Sequence, residues 1–316
     1  MSVKSLTKSL AKHLHHHKKS EPDVYILSLP RTGSTLLAEV LNTDSRSKTA
    51  SESFALNKDN TRLLRKYFDK DFIAERYVDI SEAHFQLMLQ YFILLSEGKT
   101  WNSYYWSDFF TPNHHLNTRR TIFKTHRVTY YFDDLLRNFK DDFGLYLIRH
   151  PVSHSLSRLN LGLSTYIDLY AEAKKIKVML PPGAKAKIAQ VNAGGSDLEK
   201  FVVSWCLENY IFIKKYQEDE LPPNVFSVFY EDLVLNPEQT LKDICHKIKM
   251  EYKDKMLSII DLPSSGIVHS TEETEKQIAA GNKNYLVNRW KESLTSLAEE
   301  QVEDILTSFG IKIYLD

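Results

Sequence analysis

Cysteine is almost missing from this chain: its 316 residues include two, Cys206 and Cys245. Two thiols so far apart cannot build a disulfide framework, and they have no metal-ligand spacing. A charge excess is also missing. Lys+Arg and Asp+Glu are both 41, for a formal net charge of zero. A dedicated nucleic-acid binder normally carries a basic surplus, so the balance argues against one while leaving room for a local basic pocket. No apolar run approaches the roughly 18–20 residues of a membrane span, so stable membrane insertion is not expected. Collagen, coiled coil, disulfide scaffold and membrane protein are thereby excluded. What is present is ordinary for a globular core, with 42% hydrophobic and 26% charged residues. The expectation is a reduced, soluble, cytoplasmic α/β protein.

Residues 1–21 read as a flexible arm rich in Lys and His, with no apolar stretch of the kind a secretory signal carries. Leu6, Leu10 and Leu14 recur every four residues between lysines, which also suits a short basic amphipathic helix. The ordered domain is expected over 22–316. Val24-Tyr25-Ile26-Leu27, bounded by Pro22 and Pro30, reads as a buried strand. The runs 121–124, 144–148 and 225–229 read the same way, and helical patterns lie at 35–41, 81–96, 129–139, 198–217 and 237–248. Strands alternating with helices predict a single α/β domain with a mostly parallel central sheet covered on both faces. Lys174–Ser196, with two Pro/Gly clusters and small residues between, is expected to be a long loop, either a substrate lid or a surface insertion.

The junction after the first strand carries the most chemistry. Leu29-Pro30-Arg31-Thr32-Gly33-Ser34-Thr35 joins strand to helix, so amides from Thr32 to Thr35 are expected to gather at a helix N-terminus, where the macrodipole favours an anion. Gly33 allows a tight turn, the three hydroxyls add donors, and Arg31 adds a planar charge suited to oxyanions. The bland alternative is a hydroxyl-capped junction with no ligand. A nucleotidase P-loop would need a second glycine and a lysine before the Ser/Thr. A Mg-dependent NTPase would also want a strand-end aspartate, and the strand 144–148 ends in Arg149-His150 instead. The pattern predicts an oxyanion held by arginine and amides, with no metal required.

Taken together, these segments resemble the sulfotransferases that use 3′-phosphoadenosine 5′-phosphosulfate (PAPS) and release 3′-phosphoadenosine 5′-phosphate (PAP). Leu29–Leu37 is similar to their 5′-phosphosulfate loop, with Arg31 where many cytosolic members carry lysine. Ile148-Arg149-His150-Pro151 followed by Ser157 resembles the 3′-phosphate motif, although His150 replaces the more usual Asp or Asn. Phe123-Lys124-Thr125-His126 resembles the strand-end segment that supplies a lysine and a base. Phe229-Tyr230-Glu231-Asp232-Leu233 resembles the segment whose tyrosine lies near adenine. Arg289-Trp290-Lys291 is similar to the terminal tryptophan-lysine segment, but the preceding glycine-rich basic loop is poorly kept, with Lys283 in place of its arginine.

The resemblance implies a P-loop-like fold and sulfuryl transfer from PAPS to a hydroxyl, with an amine second, of a small-molecule acceptor such as a natural product. It assigns Arg31, Thr32, Gly33, Ser34, Thr35, Arg149, Ser157, Tyr230 and Lys283 to the nucleotide. Arg31 and Lys124 fall at the transferring group. His126 is the favoured base, because an imidazole accepts a proton near neutrality. Glu52, in a segment similar to that of bacterial sugar sulfotransferases, is its rival. A small-molecule kinase and a PAP-binding protein without catalysis are the alternatives. Oligomeric state stays open, a homodimer being one option.

Overall fold

The computed structural model describes residues 19–51, 80–99, 118–126, 128–165, 167–168, 179–262 and 272–315. In chain order its elements are β1 Val24–Ser28, α1 Ser34–Leu41, β2 Ser47–Ser51, α2 Glu82–Ser96, β3 Arg120–Thr125, α3 Phe132–Asn138, β4 Phe143–Ile148 and α4 Pro151–Leu159. They continue with α5 Pro182–Gly194, α6 Asp197–Gln217, β5 Val225–Phe229, α7 Tyr230–Leu235, α8 Pro237–Lys247 and α9 Lys255–Ile260. The described chain closes with α10 Glu272–Ala279, α11 Lys283–Asn288 and α12 Ser296–Ser308. Turns of 3-10 helix cover Thr129–Tyr131 and Arg289–Ser293.

The five strands form one sheet in the order β2-β3-β1-β4-β5, and every pairing is parallel. Side chains alternate across it as strand geometry requires. Tyr25, Leu27, Phe123, Tyr146 and Ile148 enter a core shared with α2, α3, α6 and α12. Val24, Ile26, Ile122, Leu145 and Leu147 face the opposite core, shared with α1, α8 and α9. Both faces are covered, which explains why β1 and β4 read as unbroken apolar runs. The first core is built on aromatic contacts; the rings of Tyr146 and Phe212 stack with centroids 3.7 Å apart.

β2 carried no sequence signal. Its residues, Ser-Lys-Thr-Ala-Ser, are polar, yet Ser47 and Lys48 are buried against β3. Residues 174–178 lie outside the described residues, and the remainder of the 174–196 segment departs from the loop expectation. Pro182–Gly194 is a helix, with Pro182 at its start, where proline is tolerated, and Ala184, Ile188 and Val191 buried on one face. These residues join the core shared with α6 and α12. The next helix, α6, starts from a reciprocal capping box between Ser196 and Glu199. Cys206 and Cys245 are buried on α6 and α8.

The parallel register places the carboxyl ends of all five strands along one edge: Ser28 beside Leu147, Thr125 beside Leu27, Ser51 beside Lys124, and Phe229 beside Ile148. The chain order reverses around β1, which has β3 on one side and β4 on the other. Ligands of open α/β sheets bind at such a switch point.

Candidate active site

The loop after β1, Arg149 after β4 and Tyr230 after β5 meet at that edge, with Lys124 and His126 at the end of β3. The loop after β1 turns sharply. Arg31 has φ 75 and Gly33 has φ 95. The left-handed value is easy for Gly33 and costly for Arg31. Gly33 also leads into α1, which receives no side-chain cap and has no acidic residue in its first turn. The helix end therefore keeps its partial positive charge without a carboxylate of its own. A Cβ on Gly33 would lie 2.6 Å from Cδ2 of Tyr230, so this ring walls the loop where only glycine leaves room.

The Thr32 hydroxyl donates to the Leu29 carbonyl at 2.8 Å, so its proton is committed inside the turn. Ser34 is buried and Thr35 half-buried at the start of α1. Arg31 donates from Nε to the Ser157 hydroxyl of α4 at 3.3 Å. Arg149, at the end of β4, donates from Nη1 to the Arg31 carbonyl at 3.1 Å and lies over the Tyr230 ring at 4.4 Å. Burial, then the positive charges of Arg149 and Arg289, hold the Arg31 guanidinium below its ordinary pKa. Positive charges gathered against their own repulsion are the electrostatic mark of an anion site.

On the other side of β1, Lys124 is buried at the end of β3, with Nζ 3.5 Å from the Ser51 hydroxyl. His126 places Nδ1 at 3.1 Å from both the hydroxyl and the carbonyl of Ser28. A carbonyl can only accept, so Nδ1 carries a proton. Glu52, the rival base, lies outside the described residues, as do residues 1–18 of the N-terminal arm.

The structure brings together Arg31, Gly33, Arg149, Ser157 and Tyr230, and sets Lys124 and His126 on the neighbouring strand end. Lys283 begins α11, ion-pairs with Asp261 at 3.2 Å and lines a cleft with Asn236 and Glu238. From the same part of the chain, Arg289 lies close enough for its charge to act on Arg31. It stands in the Arg289-Trp290-Lys291 segment, so its signal was present in the sequence.

His150, the departure from the usual motif, has a role of its own. Its ring stacks on Trp290 with centroids 4.1 Å apart, and its amide donates to Glu231 at 2.9 Å. Burial, then Lys291 and Arg149, push its pKa down to about 3, so the stacked ring is neutral. Glu231 also accepts from the Tyr314 hydroxyl at 3.3 Å, which ties the chain's end to the strand end that carries Arg149. Asp168 accepts from Asn192 at 3.3 Å on the exposed surface. Among the described residues no helix is long and apolar enough to cross a membrane, and no group of three His, Cys, Asp or Glu could hold a metal ion.

A family model described as the sulfotransferase domain matches residues 21–308. Solved structures with similar folds include the sulfotransferase domain of a Synechococcus olefin synthase, at 17% identity and TM-score 0.48, covering 94% of this chain and 97% of that one. The sulfotransferase domain of the curacin biosynthetic pathway matches at 16% identity and TM-score 0.46, covering 93% and 99%. A mouse sulfotransferase complexed with PAP matches at 16% identity and TM-score 0.45, covering 97% and 88%. No curated protein sequence matches the chain.

Proposed function

Because the chain belongs to the sulfotransferase family, we propose that it transfers the sulfuryl group of PAPS to a hydroxyl of a small-molecule acceptor and releases PAP. The observation that carries this reading is the meeting of Arg31 and Arg149 at adjacent strand ends, with one donor of Arg149 left open. Nε of Arg149 is buried and has no hydrogen-bond partner. A buried guanidinium donor left open calls for an anionic acceptor. The residues therefore fit a nucleotide with phosphates at two positions.

Arg149 and Ser157 would hold the 3′-phosphate, the group that separates PAPS from ATP. Arg31 and the amides at the start of α1 would hold the 5′-phosphosulfate, and the Tyr230 face would flank the nucleotide. When bound, PAPS supplies a sulfuryl group whose departure leaves charge on the 5′-phosphate. Arg31 and Lys124 are preorganised positive groups suited to stabilise that charge. His126 offers Nε2 as the base that takes the acceptor's proton, a contribution of roughly 10²–10⁴ in rate. The hydrogen bonds to Ser28 would orient its ring.

Calorimetric titration with PAP, against ADP and Mg-ATP as controls, tests the donor. Selective binding of PAP is expected; equal binding of ADP removes the 3′-phosphate role of Arg149 and Ser157. Single-turnover transfer by H126A and E52A then tests the base. A loss of at least roughly tenfold in H126A with little change in E52A is expected, and the reverse pattern moves the role to Glu52.

A further inference from the structure

His154 is a fully buried histidine on α4, between Arg149 and Ser157 but not one of the residues assigned to the nucleotide. Its Nε2 lies 2.9 Å from the Pro30 carbonyl. That oxygen can only accept, so Nε2 carries the proton. The other ring nitrogen, Nδ1, is buried with no hydrogen-bond partner. Burial, then the charges of Arg158, Arg149 and His126, hold the pKa well below the ordinary histidine value, so the ring is neutral. An apolar side chain would fill the same space without leaving Nδ1 unpaired. What histidine adds is the single bond from Nε2.

That bond reaches one particular peptide plane. The Pro30 carbonyl belongs to the plane whose nitrogen is that of Arg31, and the Arg31 carbonyl belongs to the next plane along. Arg149 holds the second at 3.1 Å, and His154 holds the first. The orientations of these two planes set φ and ψ of Arg31. Arg31 sits at φ 75, a region that a residue with a Cβ leaves unless its surroundings hold it there.

We propose that His154 is a positioning residue for the oxyanion loop, acting through the Pro30 carbonyl to hold Arg31 in the backbone conformation that turns its guanidinium toward Ser157. The proposal deepens the functional reading above and rests on it for the identity of the anion. The loop geometry itself can be tested without any nucleotide.

The experiment compares wild type, H154L and H154Q. Leucine fills the space without a donor, and glutamine restores an N–H. The first readout is hydrogen exchange of the 29–35 segment in nucleotide-free protein. The second is PAP affinity, with the KM for PAPS and kcat measured separately. H154L is expected to stay folded, with a thermal midpoint within about 3 °C of wild type. Its loop should exchange about tenfold faster. PAP binding should weaken about tenfold, and KM should rise with kcat little changed. H154Q should recover most of each loss. Wild-type exchange over 29–35 in H154L overturns the proposal, as does a loss that H154Q fails to reduce. If H154L does not fold, H154M is judged by the same criteria. If wild type does not bind PAP, the donor assignment fails and loop exchange alone still decides the role of His154.

Discussion

Arg31 and Gly33 both hold left-handed backbone angles, but for different reasons. Gly33 takes φ 95 freely and leaves space for the Tyr230 ring. Arg31 is held at φ 75 by its neighbours, including the hydrogen bonds on its own and the preceding carbonyl. Gly33→Ala therefore fails twice, through backbone strain and through a contact that must displace Tyr230 from above Arg149. We expect a stability loss of about 1–3 kcal/mol in urea unfolding. PAP affinity should fall by at least roughly tenfold by calorimetry, since one 1.4 kcal/mol loss is tenfold. The loop chemistry singled out Arg31 and Gly33, and the resemblance to the sulfotransferases added Arg149 and Ser157. His154 was invisible at this scale. A histidine on a helix means nothing until the fold brings its Nε2 to a carbonyl more than a hundred residues away in sequence.

Two elements carry polar groups into the interior at some cost. α4 and α6 are joined by Arg158 and Glu208, both almost fully buried and 2.8 Å apart, with Ser204 donating to the same carboxylate oxygen. Removing one partner strands the other, so Glu208→Ala is expected to lose about 3–5 kcal/mol in urea unfolding. At the foot of β1, Asp23 accepts from the Thr121 amide and the Ser96 hydroxyl and pairs with Lys19. Burial raises its carboxyl from the reference 3.8 to about 6, with Asp142 adding to the shift and Lys19 opposing it. The native state thus keeps a proton that the unfolded chain has already released. Stability from this group is full below the unfolded value, falls as pH rises toward about 6, and is flat above it. The difference in unfolding free energy between wild type and Asp23→Asn, followed from pH 4 to 7, should decline across that window; a flat difference would contradict the assignment. Element identity was readable wherever periodicity was strong, as in α2 and α6. It was not readable in β2, whose polar residues are buried by their neighbours.

For the whole molecule, one consequence of the proposed site is that nucleotide binding and folding are linked. A ligand bound only by the native state stabilises it by about 2.7 kcal/mol at one hundred times its Kd. PAP should therefore raise the thermal midpoint by several degrees, and ADP at the same concentration should not; equal shifts would argue against a 3′-phosphate site. The sequence alone settled the class of architecture, because apolar runs alternating with amphipathic segments can bury themselves only as a covered parallel sheet. It also pointed to an anion at the first strand end, because an arginine and a glycine at a strand-to-helix turn gather positive charge and amides there. The order β2-β3-β1-β4-β5 was left to the tertiary structure. So were the helix in place of the expected loop at 182–194 and the nearness of Arg289 to Arg31. The reason is the same in each case. Local pattern reports what a segment can bury, whereas strand order and site membership depend on contacts between residues far apart in the chain, whose energies no short window contains.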